Sequence, residues 1–212
     1  MKFENREAAA GILAKKLLSY KGTDSLIVAI PRGGVPVGYI IAKALGLTLD
    51  IFLVKKIGHP LNSEYAVGAV SLEGVSIDRE QATLDPDYIR QESMRLQGEL
   101  KRRYALFTGQ KTLPDYNGKT VILVDDGIAT GSTMTMAARC IRSAGASRII
   151  IAVPVAPLSA AHHFKPLCDE YICLYEPFDF RGVGQFYEMF PQVEDEEVIR
   201  LLRQSTDDNR FF

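Results

Sequence analysis

Cysteine is scarce: three in 212 residues, Cys140, Cys168 and Cys173, with no CxxC pair. That supply excludes a disulfide framework and a cysteine metal site, and reads as buried or idle thiols in a reducing compartment. Charge of one sign is lacking too. Lys plus Arg number 25 against 26 Asp plus Glu, a formal net charge of -1, so the balance argues for neither nucleic acid nor a membrane surface as partner. No apolar run is long enough to span a bilayer. The opening MKFENREAAAGILAKKLLSY is polar and amphipathic, so no secretory leader is expected and the cytoplasm is the expected location. Two familiar phosphate signatures are absent as well: no GxxxxGK[ST] occurs, and no GxGxxG follows a strand. No repeat or low-complexity linker divides the chain. With 47% hydrophobic residues, residues 1–212 are expected to fold as a single domain around one sizeable core.

What is present is an alternation of apolar runs and helical patterns. SLIVAI, DIFLVKK, TVILVDD, RIIIAVPV and YICLYE read as buried strands, mostly β-branched and continuous. Between them, Ala9, Leu13, Leu17 and Tyr20 share one helix face. Val37, Ile40, Ile41 and Ala44 share a second, with Pro36 near its start and Gly46 past its end. Met134, Ala137, Cys140, Ile141 and Ala144 line a third, closed by Gly145. The pattern predicts an α/β fold: a mostly parallel central sheet flanked by helices. A charged segment, 81–112, interrupts the rhythm. Within it Ile89, Leu96, Leu100, Tyr104 and Phe107 predict a long amphipathic helix from about Asp85. After Pro177 come the aromatic, Gly-rich FDFRGVGQFYEMFP and a short helix, EDEEVIRLLR, with acids in its first turn.

VILVDDGIATGST, Val121 to Thr133, carries the chemistry. In open parallel sheets ligands bind beyond the carboxyl ends of strands, where Asp125 and Asp126 stand. Carboxylates accept hydrogen bonds, so an adjacent pair suits two neighbouring sugar hydroxyls. The small residues and hydroxyls that follow enter a helix, whose N-terminus attracts anions. A diol and a phosphate on one ligand fit a 5-phosphorylated ribose. The pair taken alone could equally hold a metal or cap the turn. AIPRGGVPVG, Ala29 to Gly38, follows the first strand. It offers bare amides at Gly33 and Gly34 and a fixed charge at Arg32, or else a Gly-rich turn with an exposed arginine. VKKIGHP ends the next strand with Lys55 and Lys56, two cations for phosphates or a solvated basic turn. His59 could initiate the HP turn, and His162 and His163 are expected on the surface.

The thirteen-residue string resembles the phosphoribosyl diphosphate signature of type I phosphoribosyltransferases: a hydrophobic strand, two acids, then a T-G-[small]-[S/T] loop. With its inserted helix, the layout is similar to a less characterised group of predicted members. The resemblance implies transfer of ribosyl 5-phosphate from phosphoribosyl diphosphate to a nitrogen nucleophile, with a purine-type nucleobase as first guess, and release of pyrophosphate. Mg2+ would be held through the donor, with no direct protein ligation expected unless by Asp125 or Asp126. The implied donor site comprises Asp125, Asp126, Gly127, Ala129, Thr130, Gly131, Ser132 and Thr133, with Arg32, Gly33 and Gly34 as the pyrophosphate loop and Lys55 and Lys56 beside it. Family loops of this kind often contain a strained or cis non-proline peptide. A homodimer is also implied, and the apolar face of the 85–107 helix would need a partner surface within or between chains.

Between Ile57 and Arg79 the resemblance places a flexible loop that closes over the site and excludes water. Hypoxanthine–guanine relatives carry an aspartate at the position of Ala129, suited to proton exchange with the base. Adenine-type relatives have alanine there and use a carboxylate of the flexible loop, for which Glu64 and Glu73 are the candidates beside Asp125 and Asp126 as catalytic residues. A C-terminal hood, 170–205, would hold the base, with Phe180 and Tyr187 stacking and Val183 reading base edges, unless these side chains are core. The rival reading is a non-catalytic sensor of the donor or of nucleotides on the same fold. A DNA-binding regulator would add a basic module; the one dense cluster is Lys101, Arg102 and Arg103, so no nucleic-acid partner is expected.

Overall fold

The computed structural model describes residues 1–77, 84–110 and 112–208, with the backbone alone at Ser63, Glu64 and Asp208. Parts of the predicted 57–79 loop and 81–112 insertion therefore lie outside the described residues.

Five parallel strands form the central sheet in the order β2-β1-β6-β7-β8. They are β1 Leu26–Ala29, β2 Thr48–Ile51, β6 Thr120–Val124, β7 Arg148–Val155 and β8 Glu170–Tyr175. Every predicted strand is present, but DIFLVKK divides. Its front half ends β2, and its back half begins β3, Val54–His59, in a second sheet. A continuous apolar run gives no period to show such a break.

The sheet is covered on both faces, and alternate side chains of each strand go to opposite ones. Ile27, Ala29, Ile122, Val124 and Ile150 pack with helices α1 Arg6–Lys16, α2 Gly34–Leu45, α3 Pro86–Thr108 and α6 Asp195–Asp208. Leu26, Val28, Val121, Leu123 and Ile151 pack with α4 Ser132–Ser143 and α5 Ala160–Phe164. Predicted helix faces are buried at Ala9, Leu13, Leu17, Val37, Ile41, Met134 and Ala137. Ala44 and Ala144 are exposed, being at the last turns of their helices.

Three expectations change. The described part of the predicted flexible loop, 57–77, lies in an antiparallel sheet, β3-β4-β5, with β4 spanning Asn62–Ser71 and β5 Val75–Ile77. Its strands pair from Val54↔Ser71 to His59↔Asn62. The inserted helix α3 buries Leu96, Leu100, Tyr104 and Phe107 against β3, β4 and α6, so its apolar face is covered within the chain and gives no reason to expect a second copy. The segment 170–205, expected as a hood, is divided among several parts of the fold. Strand β8 belongs to the central sheet and α6 to the core beside α2 and α3; the residues between them carry a 3-10 turn, Val183–Phe186, and a bridge from Tyr187 to Phe3.

Candidate active site

Parallel pairing puts the segments after β1 and β6 side by side. Ala29 is in register with Val124, and the Ile30 N–H donates to Val124 O at 3.0 Å. The Pro31–Arg32 peptide is cis. Gly33 and Gly34 then pass directly against the two acids. A Cβ on Gly33 would lie 2.0 Å from Asp126 Oδ2, and one on Gly34 would lie 2.9 Å from Val124 O and 3.1 Å from Asp125 Oδ1. No side chain fits at either position, so the two motifs read separately in the sequence form one surface.

The acids differ in their surroundings. Asp126 is 9% exposed, and its Oδ2 accepts from Arg6 Nε at 2.8 Å. Arg6 also donates to Pro191 O at 2.8 Å and lies 3.8 Å above the Phe190 ring. Sequence reasoning missed Arg6, which sits in the first turn of a helix far from either motif and has no local signal. Asp125 Oδ1 accepts from the Asp126 N–H at 2.8 Å, and among the described residues Asp125 has no ion-pair partner. Burial, then the neighbouring Asp126, pushes the Asp125 carboxyl well above the usual range. Burial also raises Asp126, with Arg6 opposing.

Beyond the acids, Gly131 takes φ 77° and turns the chain into α4. Thr130 and Ser132 are exposed at the entrance, their hydroxyls 3.0 Å apart, and the first turn of α4 supplies N–H groups without partners in the helix. Gly127 is different: it is buried, and a Cβ there would meet Val183 at 2.6 Å.

Two cavities flank this loop. One, of about 210 Å3, lies between Pro31, Arg32, Val54, Lys55, Arg103 and Thr133. The other, of about 390 Å3, opens between the β3-β4-β5 sheet and α4, with Lys56, Ser132, Thr135, Arg139 and His163 in its wall. The two lysines thus part company, as neighbours on a strand must. Lys55 is ion-paired with Glu99 of α3. His163 is on the surface, as expected, with its Nε2 2.8 Å from Thr135 Oγ1.

Other candidates sit elsewhere. Glu73 occupies the β4–β5 turn, where its Oε1 accepts from Tyr116 O–H at 3.4 Å and burial raises its carboxyl; it lines neither cavity. The Glu64 side chain lies outside the described residues. Tyr187 is 3% exposed and donates its O–H to Asp126 O at 2.6 Å, so it is a strut beneath the acids with no face free for stacking. Phe180 stacks on Phe186 at 5.6 Å, and Val183 fills the space over Gly127.

Comparison with known proteins follows the same outline. The family model described as phosphoribosyl transferase domain matches residues 3–184. Two curated Mycobacterium tuberculosis relatives, from strains CDC 1551 and H37Rv and each named provisionally as a phosphoribosyl transferase, are 35% identical over 204 residues. The match covers 94% of this chain and 46% of theirs, so the chain spans less than half their length. The crystal structure of TT1426 from Thermus thermophilus matches with a TM-score of 0.82 at 33% identity, over 96% of this chain and 99% of that one. A hypothetical protein from Neisseria gonorrhoeae with bound ppGpp shares the fold at 14% identity, with a TM-score of 0.52 over 96% and 98% of the two chains. The match runs from the N-terminal residues into the turn over Gly127 and takes in both loops and the sheet that carries them: the chain belongs to the phosphoribosyl transferase family.

Proposed function

We propose that the protein transfers ribosyl 5-phosphate from phosphoribosyl diphosphate to a nitrogen nucleophile, a purine-type nucleobase being the first choice. The observation that carries this reading is the contact of Gly33 and Gly34 with Asp126 and Asp125. That contact brings the Gly-rich loop after β1 against the carboxylate pair after β6, which supports one ligand spanning the two.

In this reading the loop 127–133 and the first turn of α4 take the 5-phosphate. Arg32 and Lys55 take the diphosphate, and Lys56 faces the second cavity. Asp125 is the carboxylate directed at the ribose, since Asp126 already has Arg6. The C1′–oxygen bond breaks with its electron pair leaving on pyrophosphate, and the acceptor nitrogen bonds to C1′. Positive character at C1′ is stabilised by the ionised Asp125, and the rest of the catalysis is positioning. Burial makes ionisation of Asp125 costly in the free protein, a cost that hydrogen bonds from the donor's hydroxyls to the carboxylate would offset. Glu64 is retained from the sequence as acceptor of the nucleophile's proton.

Mg2+ would enter with the donor. Hard carboxylate and phosphate oxygens suit it, and no group of three acidic, His or Cys side chains among the described residues forms a separate metal site. When bound it would neutralise charge on the departing diphosphate. Pairing of two copies rests on the family resemblance alone, and light scattering reads it.

The test is incubation with phosphoribosyl diphosphate, Mg2+ and a panel of nucleobases, following pyrophosphate release. Release that depends on one base supports the reading. Tight donor binding without release for any base makes the protein a sensor instead.

A further inference from the structure

We infer that the inserted helix completes the diphosphate pocket with a third cation, Arg103, and that Glu194 and Asp195 hold the pocket's arginines until a diphosphate displaces them. The inference rests on the donor-binding reading above and adds to it a residue and a competing anion.

Three cations border the 210 Å3 cavity: Arg32 after β1, Lys55 on β3 and Arg103 on α3. Each has an acid partner. Lys55 meets Glu99. Arg32 Nη1 lies 3.3 Å from Glu194 Oε2 and 3.5 Å from Asp195 Oδ1, and Arg103 Nη2 lies 3.2 Å from the same Asp195 oxygen. One carboxylate oxygen therefore bridges two guanidinium groups, at distances longer than the 2.7–2.9 Å or so typical of charge-assisted bonds. These pairs are also open to water, with Glu194 60% and Asp195 40% exposed, so they are weak and exchangeable. A diphosphate brings several anionic oxygens and can meet each planar guanidinium with two of them, which one bridging oxygen cannot.

Arg103 is placed to make that exchange. Leu100, three residues earlier, lines the same cavity. Phe107, four residues later, is fully buried, and its ring lies 5.0 Å from the Arg103 guanidinium carbon. The side chain thus has a support besides Asp195 and stays at the cavity when the carboxylate leaves. Its neighbours Lys101 and Arg102 are exposed and do not line the cavity. The start of α6 is brought opposite by the packing of α6 on α2 and α3.

Calorimetry with Mg2+-pyrophosphate, and separately with phosphoribosyl diphosphate, tests this on the 212-residue chain. Arg103→Gln should weaken pyrophosphate binding about 10-fold or more, the scale of charge-assisted hydrogen bonds. Arg103→Lys should recover part of it, and Lys101→Gln should bind as the parent does. Asp195→Asn, with or without Glu194→Gln, should bind pyrophosphate more tightly, a gain that no folding defect can mimic. Parent-like affinity in Arg103→Gln, or no gain in the Asp195 and Glu194 variants, overturns the inference and leaves the donor-binding reading standing. A parent chain that binds neither ligand overturns the donor-binding reading itself.

Discussion

Replacing Arg6 by methionine should damage the protein in a way that depends on pH and on one partner. Methionine keeps most of the stem and loses the charge. It strips the bond from Asp126 Oδ2 at 2.8 Å, the bond from Pro191 O, and the contact with Phe190. The two side chains of the pair are 8% and 12% exposed, so water cannot replace the lost cation. Breaking a buried pair by removing one member costs about 3–5 kcal/mol, because the other charge is left uncompensated. Asp126 is already raised by burial against the opposing effect of Arg6, so without Arg6 it must rise further. A carboxyl raised in the folded state favours folding at low pH, and that contribution is lost as pH rises through the folded value. The cost of Arg6→Met should therefore be largest near pH 8 and shrink toward pH 5. Arg6→Met with Asp126→Asn should recover most of it, since no buried charge remains. Urea unfolding of the four proteins of this cycle at both pH values gives the numbers. A loss below about 1 kcal/mol at pH 8, against the range expected for a buried pair, would refute the reasoning. So would a loss of equal size at both pH values, or one that Asp126→Asn leaves unrepaired.

Gly33→Ala places a methyl 2.0 Å from Asp126 Oδ2, so it should cost about 1–3 kcal/mol as overpacking and lower donor affinity. Gly11→Ala, in α1 with nothing within 4 Å, should raise stability by about 0.4–1 kcal/mol; thermal melts of the two variants should move in opposite directions. Asp50 is 5% exposed, and burial raises its carboxyl from 3.8 to about 6. Asp50→Asn should therefore stabilise by up to about 3 kcal/mol at pH 8, with the gain gone at pH 4, and equal gains at both pH values would exclude that cause. Donor affinity should fall as pH drops, beginning above the range of an ordinary carboxylate because Asp125 is raised. Calorimetry in buffers of different ionisation heat should show proton release on binding, and affinity that is flat from pH 8 to 5 would remove Asp125 from the ribose.

The central sheet was legible because its strands are short β-branched runs set between helices with regular faces and glycine stops. The signature loop was legible because its demands are local: two acids, small residues and a helix start in thirteen consecutive positions. What stayed hidden is non-local. The break at Phe52 and Leu53 falls inside an unbroken apolar run. The β3-β4-β5 sheet was hidden because NSEYAVGAVS mixes polar residues and glycines with its apolar ones, a pattern that also reads as a loop. Glu73 was a proton-transfer candidate on a loop over the site, but its turn packs beside Tyr116 and Cys140. Tyr187 looked like a hood aromatic, but the Phe3 N–H donates to Phe186 O at 2.8 Å and Phe3 O accepts from the Glu188 N–H. That pairing of the chain's start with the segment after β8 draws Tyr187 beneath Asp126.

The ion pairs around the site divide by exposure, and the division assigns their roles. Arg6 and Asp126, 120 residues apart, are sealed from water. A pair in that setting is hard to break and serves to fix the position of a carboxylate. Arg32 with Glu194 and Asp195, Arg103 with Asp195, and Lys55 with Glu99 all have both members 29–60% exposed. Such pairs contribute little to stability, and their cations remain available to a stronger anion. On the donor-binding reading proposed above, both kinds have a use: a permanent pair would sit beneath the ribose, and exchangeable pairs would sit where the leaving group departs. The acids opposite the exchangeable cations would re-form their pairs as pyrophosphate dissociates. Asp195→Asn should therefore slow product release even as it tightens binding. A pyrophosphate off-rate in that variant at or above the parent's, measured by stopped-flow displacement, would contradict this division of labour.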